Sequence, residues 1–155
     1  MFQDGFENIT SIDISTTVVK QMQEVYREKY PSLIYKQMDV RQMSSFEDKT
    51  FDVVIDKGTF DSILCGDGSG PNAEQMLSEI SRVLTDDGVY ICISYGLKES
   101  RVPFFHKPAY GWLTFNHCVA KPTISTSTVV QANDKDEKNF HWIYANKKQG
   151  GESQQ

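Results

Sequence analysis

Short apolar segments alternate with amphipathic segments over the first two thirds of the chain, and this alternation constrains the fold most strongly. Runs rich in β-branched residues predict strands over residues 9–14, 33–38, 51–55 and 89–94. Apolar residues at three- and four-residue spacing predict helices over residues 18–26 and 73–84. Strands joined by helices form right-handed crossovers, which give a mostly parallel sheet with helices on both faces. The sequence therefore predicts an α/β protein.

Polar residues predict where these elements begin and end. Ser15 follows the first strand, where it would cap the first helix, and Pro31 prevents that helix from continuing. The segment Asp86–Gly88 predicts a turn between the second helix and the fourth strand.

The chain changes character after Tyr95. Residues 111–118 and 140–145 are rich in aromatic side chains and predict two final strands that pair as an antiparallel hairpin. The polar segment 122–139 between them predicts a long mobile loop, and the polar residues from Lys147 onward predict a disordered tail. A length of 155 residues suits one domain, which we place at residues 1–148, followed by a tail at 149–155.

Charge and composition exclude several classes of protein. Sixteen basic and 21 acidic residues give a net charge of −5, which is opposite to the cationic surface that nucleic acid requires. No apolar run approaches the roughly 18 residues of a membrane span, and the first residues lack the basic and apolar segments of a leader, so we expect none. Three cysteines without a Cys-x-x-Cys spacing predict neither disulfides nor a metal site. We expect a soluble cytoplasmic protein that binds neither membranes nor nucleic acid.

Three carboxylates follow predicted strands directly: Asp13, Asp39 and Asp56. Ligands of open parallel sheets bind at the carboxyl ends of the strands. A carboxylate at the position of Asp13 typically accepts the ribose hydroxyls of a nucleotide, and Asp39 would accept from an adenine amino group beside Val40. Each aspartate by itself would more often cap a turn, but three in register favour a nucleoside site.

Four segments around these carboxylates carry a resemblance to a known family: Ser-Ile-Asp-Ile-Ser (11–15), Met-Asp-Val-Arg-Gln-Met (38–43), Phe-Asp-Val-Val-Ile-Asp-Lys-Gly-Thr-Phe-Asp (51–61) and residues 79–90. In this order they resemble class I S-adenosylmethionine-dependent methyltransferases. More narrowly, the chain is similar to the group whose members methylate lysines of translation elongation factor 1-alpha. The resemblance runs from about residue 4 to residue 148.

The resemblance implies a Rossmann-like fold and S-adenosyl-L-methionine as the cofactor. It makes Asp13 the ribose ligand, Ile14 a wall of the cofactor pocket, and Asp39 with Val40 the adenine contacts. Asp56 would lie beside the methionine end of the cofactor.

The resemblance also implies the reaction, which is N-methylation of a lysine in a protein substrate such as elongation factor 1-alpha. Asp56 and Lys57 would be the catalytic residues at the acceptor entrance. Tyr95, Tyr110 and Trp112 would surround and desolvate the acceptor amine. Ordinary core packing is the alternative for these three aromatic side chains.

The family's first strand and glycine-rich loop have no counterpart in the resemblance, so we expect a fold that is incomplete at its N-terminus. The missing strand would lie between the strands that end at Asp13 and Asp56. Residues 66–70 are glycine-rich but do not replace the loop, because Pro71 follows and the next strand ends in Tyr95 instead of an acid. The alternative function is therefore a catalytically inactive fragment that serves as a protein-binding scaffold. A dinucleotide-dependent oxidoreductase is a weaker third reading.

Overall fold

The computed structural model describes residues 1–121 and 140–150. Within them the strands are β1 (Thr10–Asp13), β2 (Ile34–Gln37), β3 (Phe51–Lys57), β4 (Leu84–Ser94), β5 (Trp112–Ala120) and β6 (Phe140–Lys148). The α-helices are α1 (Thr16–Tyr26), α2 (Thr59–Leu64), α3 (Ser69–Val83) and α4 (Lys98–Phe105). The chain divides into two compact units, unit 1 at residues 1–45 and unit 2 at residues 46–155. The expectation of one domain over residues 1–148 stays a prediction.

Unit 1 is a β-α-β element. β1 and β2 pair in parallel, in a register that places Thr10 opposite Ile34 and Asp13 opposite Gln37. The Ser15 hydroxyl accepts a hydrogen bond from the backbone N–H of Val18, at 3.3 Å, which confirms the predicted helix cap.

Unit 2 contains a four-stranded sheet in the order β3-β4-β6-β5. β3 and β4 are parallel, whereas β6 is antiparallel to both β4 and β5. The predicted hairpin is therefore confirmed, and so is the Rossmann-like α/β class with a C-terminal antiparallel part. Within the described residues β1–β2 and β3–β6 form two separate sheets, and neither β1 nor β3 has a second partner strand.

The core of unit 2 lies between one face of its sheet and the helices. The Phe105 ring of α4 contacts the rings of Tyr90 on β4 and Tyr144 on β6, at centroid distances of 6.1 and 5.2 Å. Phe60 of α2 packs against Phe105. The apolar stripe of α3 is fully buried and consists of Ala73, Met76, Leu77, Ile80 and Val83. Burying such side chains stabilises a fold by about 1.5–3 kcal/mol each.

The helices of unit 2 lie on one face of its sheet. α2, α3 and α4 all pack on the face that carries Tyr90 and Tyr144. On the opposite face Phe115 remains 59% exposed and Leu113 remains 49% exposed. The described helices of unit 2 thus cover one side of its sheet.

Several local predictions need correction. Asp86–Gly88 is not a turn before β4 but a bulge within it, since Phe51 pairs with Leu84 and Val53 pairs with Val89. The disordered tail does not begin at Lys147, because β6 includes Lys147 and Lys148. The Gln149 N–H also donates to the Gly111 carbonyl at 2.8 Å. The predicted mobile loop, residues 122–139, lies outside the described residues.

Two helices were not predicted, α2 and α4. α4 contains Pro103, which lacks the N–H that a helix interior uses. The cost is limited because Pro103 is exposed and lies near the end of a short helix. In the described part of the chain, no helix combines the length and apolar content that crossing a bilayer requires.

The Cys92 thiol provides a test of this core. Burial, aided by the nearby Asp56 charge, raises the pKa of Cys92 well above its ordinary value, whereas Cys65 is exposed. We expect iodoacetamide to alkylate Cys65 in the native protein and to leave Cys92 unmodified until guanidinium unfolds the chain. Peptide mass spectrometry measures both sites. Alkylation of native Cys92 at the rate of Cys65 would contradict the position of β4 in the core.

Candidate functional site

The carboxyl ends of β1 and β2 form one edge of unit 1, and two of the predicted site residues lie there. Asp13 is the last residue of β1, and Asp39 follows the end of β2 by two residues. The Met38 N–H donates to the Asp13 carbonyl at 3.0 Å, which continues the ladder to this edge. The parallel register therefore brings Asp13 and Asp39 to the same end of the sheet.

Asp13 is exposed, and one of its oxygens is used locally. Its Oδ1 accepts from the Ser15 N–H at 2.7 Å, which is the turn-capping role considered as the alternative. Its Oδ2 accepts no hydrogen bond from a described residue. Asp13 therefore combines a local structural role with a free carboxylate oxygen.

Asp39 is held by Arg41, a contact that sequence reasoning missed. The Arg41 backbone N–H and Nε donate to Asp39 Oδ1 at 2.9 and 3.0 Å, and Nη2 donates to Oδ2 at 2.6 Å. These bonds hold the pKa of Asp39 below its ordinary value, so the group is a carboxylate at neutral pH. The two residues are only two positions apart in the sequence, and this spacing was the signal that could have predicted their contact.

Ile14 and Val40 flank these carboxylates. Ile14 is 64% exposed, and its carbonyl accepts from the Gln37 side chain at 3.2 Å. Val40 is half-buried. Two surface cavities of unit 1, of about 620 and 530 Å³, lie along α1 and β2, and none of the predicted cofactor residues lines them.

Asp56 lies in unit 2, where it is only 6% exposed. Its carboxylate accepts from the N–H groups of Thr59 and Phe60 at 2.9 and 3.1 Å, which caps the start of α2. The Tyr90 hydroxyl donates to the same carboxylate at 3.3 Å, and burial holds the pKa of Tyr90 well above its ordinary value. Asp56 therefore fixes the turn between β3 and α2 from inside the core.

Lys57 is exposed and follows Asp56 directly in β3. Successive side chains of a strand point to opposite faces, so the Lys57 ammonium and the Asp56 carboxylate do not face each other. The structure does not bring these two residues together as a catalytic pair. Gly58 then turns the backbone at a φ of 86°, which favours glycine.

An ion pair that the sequence analysis missed organises the segment after β4. Arg101 Nη2 and Asp61 Oδ1 are 3.0 Å apart, and the two side chains are 16% and 15% exposed. Asp61 also accepts from the Ser94 hydroxyl and from the Tyr95 N–H. The Tyr144 hydroxyl donates to the Gly96 carbonyl at 3.0 Å. Residues 94–96 are thereby held in place at the carboxyl end of β4.

Tyr95 is the one predicted acceptor residue that this segment exposes. It is 63% exposed, its ring lies 4.9 Å from the His141 ring, and Lys121 Nζ lies 5.3 Å from its centroid. A lysine ammonium within about 6 Å of an aromatic ring centroid is attracted to the ring. Tyr95 therefore already contacts a lysine side chain of its own protein.

Tyr110 and Trp112 lie away from Tyr95, near the other end of β4. Trp112 is opposite Lys148 in the hairpin, and Lys147 is opposite Val89, so Trp112 lies at the amino end of β4. Tyr110 and Trp112 are 3% and 9% exposed, with ring centroids 4.9 Å apart. The alternative of ordinary core packing fits both residues better.

The three carboxylates thus have different surroundings. Asp13 and Asp39 share an edge of unit 1, and Asp56 is a buried cap in unit 2. In the part of the chain that the structure describes, no cluster of three His, Cys, Asp or Glu residues is arranged to hold a metal ion.

Residues 1–92 match the family model described as a methyltransferase domain, which is more than half of the chain. The chain belongs to the methyltransferase-domain family. Two relatives in this family carry the name of a substrate. The eEF1A lysine and N-terminal methyltransferase of Xenopus laevis is 34% identical over 130 residues, covering 81% of this chain and 18% of that protein. The EEF1A lysine methyltransferase 4 of Mus musculus is 37% identical over 120 residues, covering 72% of this chain and 46% of that protein.

Solved methyltransferase structures share the fold of this family member at low sequence identity. A SAM-dependent methyltransferase from Methanosarcina mazei has a TM-score of 0.64 at 12% identity, over 92% of this chain and 82% of that chain. A Burkholderia thailandensis 1,6-didemethyltoxoflavin-N1-methyltransferase with bound S-adenosylhomocysteine has a TM-score of 0.65 at 10% identity, over 96% and 64%. The chain spans less than half the length of either named eEF1A methyltransferase.

The buried Asp61–Arg101 pair generates a stability prediction. We expect Asp61→Ala to lower the free energy of unfolding by about 3 kcal/mol, because it leaves the Arg101 charge unpaired in a mostly buried position. Urea unfolding followed by circular dichroism measures the change. The double variant Asp61→Ala, Arg101→Met should recover only part of it, because the Ser94 hydroxyl and the Tyr95 N–H still lose their acceptor.

The exposed pair Lys49–Asp86 is the matched control. Its side chains are 59% and 55% exposed, so Asp86→Ala should shift the urea midpoint only slightly. An Asp61→Ala variant as stable as Asp86→Ala would show that the buried pair does not organise residues 94–101.

Proposed function

We propose that this chain binds S-adenosyl-L-methionine and takes part in N-methylation of a lysine in a protein substrate. The family match over residues 1–92 supports the cofactor, and the names of the relatives support the acceptor. Elongation factor 1-alpha is the first substrate to test, and it would place the chain in the cytoplasm. The observation that carries the proposal is the free Asp13 carboxylate oxygen at the shared edge of β1 and β2.

The edge of unit 1 supplies the chemical groups that an adenosine requires. The Asp13 Oδ2 is free to accept from ribose hydroxyls, while the Ser15 N–H holds the other oxygen in place. Ile14 and Val40 offer apolar surface for the adenine ring. Arg41 donates hydrogen bonds to both oxygens of Asp39. We therefore assign Asp39 mainly a structural role at this edge, with at most a weak hydrogen bond from the adenine base.

The acceptor amine must be uncharged before it attacks. S-adenosyl-L-methionine supplies an activated methyl group, so the protein's part is to align the amine and exclude water. Methylation of the neutral amine would leave a cationic product nitrogen, which would then release a proton to solvent. Tyr95 is placed to contact the amine, because Asp61 and Ser94 hold its backbone and its ring is exposed. Asp56 acts here as a positioning residue, because it is occupied by the turn that begins α2.

Substitution of Asp13 tests the cofactor assignment. We expect Asp13→Asn to weaken binding of S-adenosylhomocysteine by about 10- to 150-fold, since a hydrogen bond to a charged group contributes about 1.5–3 kcal/mol. The amide retains an oxygen for the Ser15 N–H, so the turn is preserved. Isothermal titration calorimetry on the full chain measures the affinity.

Asp67→Asn is the control, because Asp67 is an exposed acid in the loop before α3. It should leave the dissociation constant unchanged. Equal affinity of the Asp13→Asn variant and the parent would remove Asp13 from the site. An absence of S-adenosylhomocysteine binding by the folded parent chain would instead favour the scaffold alternative.

Transfer to the acceptor has its own test. With labelled S-adenosylmethionine and purified elongation factor 1-alpha, we expect methyllysine to form in the factor. The Tyr95→Ala variant should have a two- to tenfold lower kcat/KM, which corresponds to the free energy of about one aromatic contact. Its affinity for S-adenosylhomocysteine should not change. The control is Phe6→Ala, since Phe6 is similarly exposed at 57%. Equal kcat/KM values for the parent and Tyr95→Ala would contradict the assigned role of Tyr95.

A further inference from the structure

Three backbone groups in the segment after β4 are each bonded to a side chain. The Tyr95 N–H donates to Asp61 Oδ2 at 2.8 Å, and the Gly96 N–H donates to the Ser94 hydroxyl at 2.9 Å. The Gly96 carbonyl accepts from the Tyr144 hydroxyl at 3.0 Å. The backbone of this segment is therefore fixed in position, although it lies beyond the last residue of β4.

Arg101 connects the partners of this segment. Its Nε and Nη2 donate to Asp61 Oδ1 at 3.1 and 3.0 Å, and Nε also donates to the Ser94 hydroxyl at 3.0 Å. Ser94 is 1% exposed, and its hydroxyl donates to Asp61. A hydroxyl has one donor and two acceptor positions, so its bonds with Asp61, Gly96 and Arg101 use all of them. A change at Arg101 therefore acts directly on the groups that hold Tyr95.

Gly96 provides the space for the Arg101 guanidinium. A Cβ atom at position 96 would lie 2.1 Å from Arg101 Cζ and 2.2 Å from Nε, which is too close for any side chain. The φ of Gly96 is not positive, so backbone strain does not explain a glycine at this position. Glycine is required here because the guanidinium lies against the backbone.

The helix α4 that carries Arg101 is anchored in the core one turn later. Phe105 lies four residues after Arg101 and therefore on the same face of α4. Its ring is fully buried against Tyr90 and Tyr144, and its carbonyl accepts from the Trp112 indole N–H at 2.7 Å. The core thus fixes α4, and Arg101 transmits the position of α4 to the segment after β4.

This segment lies at the edge of the sheet where ligands are expected. Tyr95 directly follows the carboxyl end of β4, and the parallel strand β3 ends beside it, where the Gly58 N–H donates to the Ile93 carbonyl at 3.2 Å. Ligands of open parallel sheets bind at the carboxyl ends of the strands. Well-packed apolar side chains often stabilise a fold as much as a buried ion pair does, so stability alone gives no reason for charged groups here.

We propose that Arg101 is a positioning residue for methyl transfer, which holds Tyr95 in place beside the acceptor lysine. This inference rests on the proposed function, in which Tyr95 contacts the acceptor amine. The rate of such a transfer depends on the alignment of the amine with the methyl group. Arg101 acts through Asp61 and Ser94, and it does not contact the acceptor itself.

A double-substitution cycle of Arg101 and Tyr95 tests this role. Arg101→Lys keeps the charge that pairs with Asp61 but loses the planar set of donors. We expect it to lower kcat for methylation of elongation factor 1-alpha about three- to tenfold, without changing the affinity for S-adenosylhomocysteine. In a Tyr95→Ala background the same substitution should change kcat by less than about 1.5-fold, because Tyr95 carries its effect. Equal reductions in the two backgrounds would overturn the positioning role.

Gly96→Ala is the second variant, because its methyl group would displace the guanidinium without changing any charge. It should lower kcat about as much as Arg101→Lys does. The matched control is Gly70→Ala, since a Cβ atom at Gly70 has no neighbour within 4 Å. This control should keep the parent's kcat, and circular dichroism confirms that each variant is folded. A Gly96→Ala variant with the parent's kcat would contradict the role of Gly96.

Amide exchange followed by NMR separates this inference from the proposed function. Arg101→Lys should speed exchange of the Tyr95 and Gly96 amides at least about fivefold. The amide of Cys92, which is paired on both sides within the sheet, should not change. Unchanged exchange at Tyr95 and Gly96 would overturn the inference at any level of activity.

The kinetic outcomes distinguish the two failures. A parent chain that does not methylate elongation factor 1-alpha would contradict the proposed function and this inference together. An active parent and an Arg101→Lys variant with equal kcat would contradict this inference alone.

Discussion

The register between the parallel strands β1 and β2 is the constraint on which the candidate site depends. It places Asp13 opposite Gln37, so that the carboxylate and the segment from Met38 to Arg41 leave the sheet at one edge. A slip of one residue would turn Asp13 to the other face of the sheet. The Ser15 N–H then fixes one carboxylate oxygen and leaves the other exposed. This single hydrogen bond orients the Asp13 carboxylate, so that its second oxygen can accept a hydrogen bond from a ligand.

Unit 2 uses its carboxylates differently, because burial requires every oxygen to be satisfied. Asp56 accepts two backbone N–H groups and a tyrosine hydroxyl, and Asp61 accepts from Arg101 and from the backbone of Tyr95. Both residues fix backbone segments at the carboxyl ends of strands. The exposed side chains of these segments, such as Tyr95, remain available to contact a substrate. The chemistry proposed for this family member therefore depends on buried acids that stabilise loops and on exposed groups that bind.

Most elements of the fold were predictable because their signals are local. β-Branched runs marked the strands, and Ser15 marked the start of α1. The helix α4 was missed because Pro103 is an unfavourable local signal, tolerated here at an exposed position. The Asp61–Arg101 pair spans 40 residues of sequence, so no local pattern could reveal it. The core positions of Tyr110 and Trp112 depend on the hairpin register, and their aromatic character alone suited an acceptor site equally well.

The central claim is that the edge formed by β1 and β2 binds the adenosine part of S-adenosyl-L-methionine. Amide hydrogen–deuterium exchange of the full chain, with and without S-adenosylhomocysteine, tests this claim most directly. The account predicts slower exchange in the peptides that contain residues 13–16 and 38–42 when the ligand is present. Unchanged exchange in both peptides at a saturating ligand concentration would contradict it.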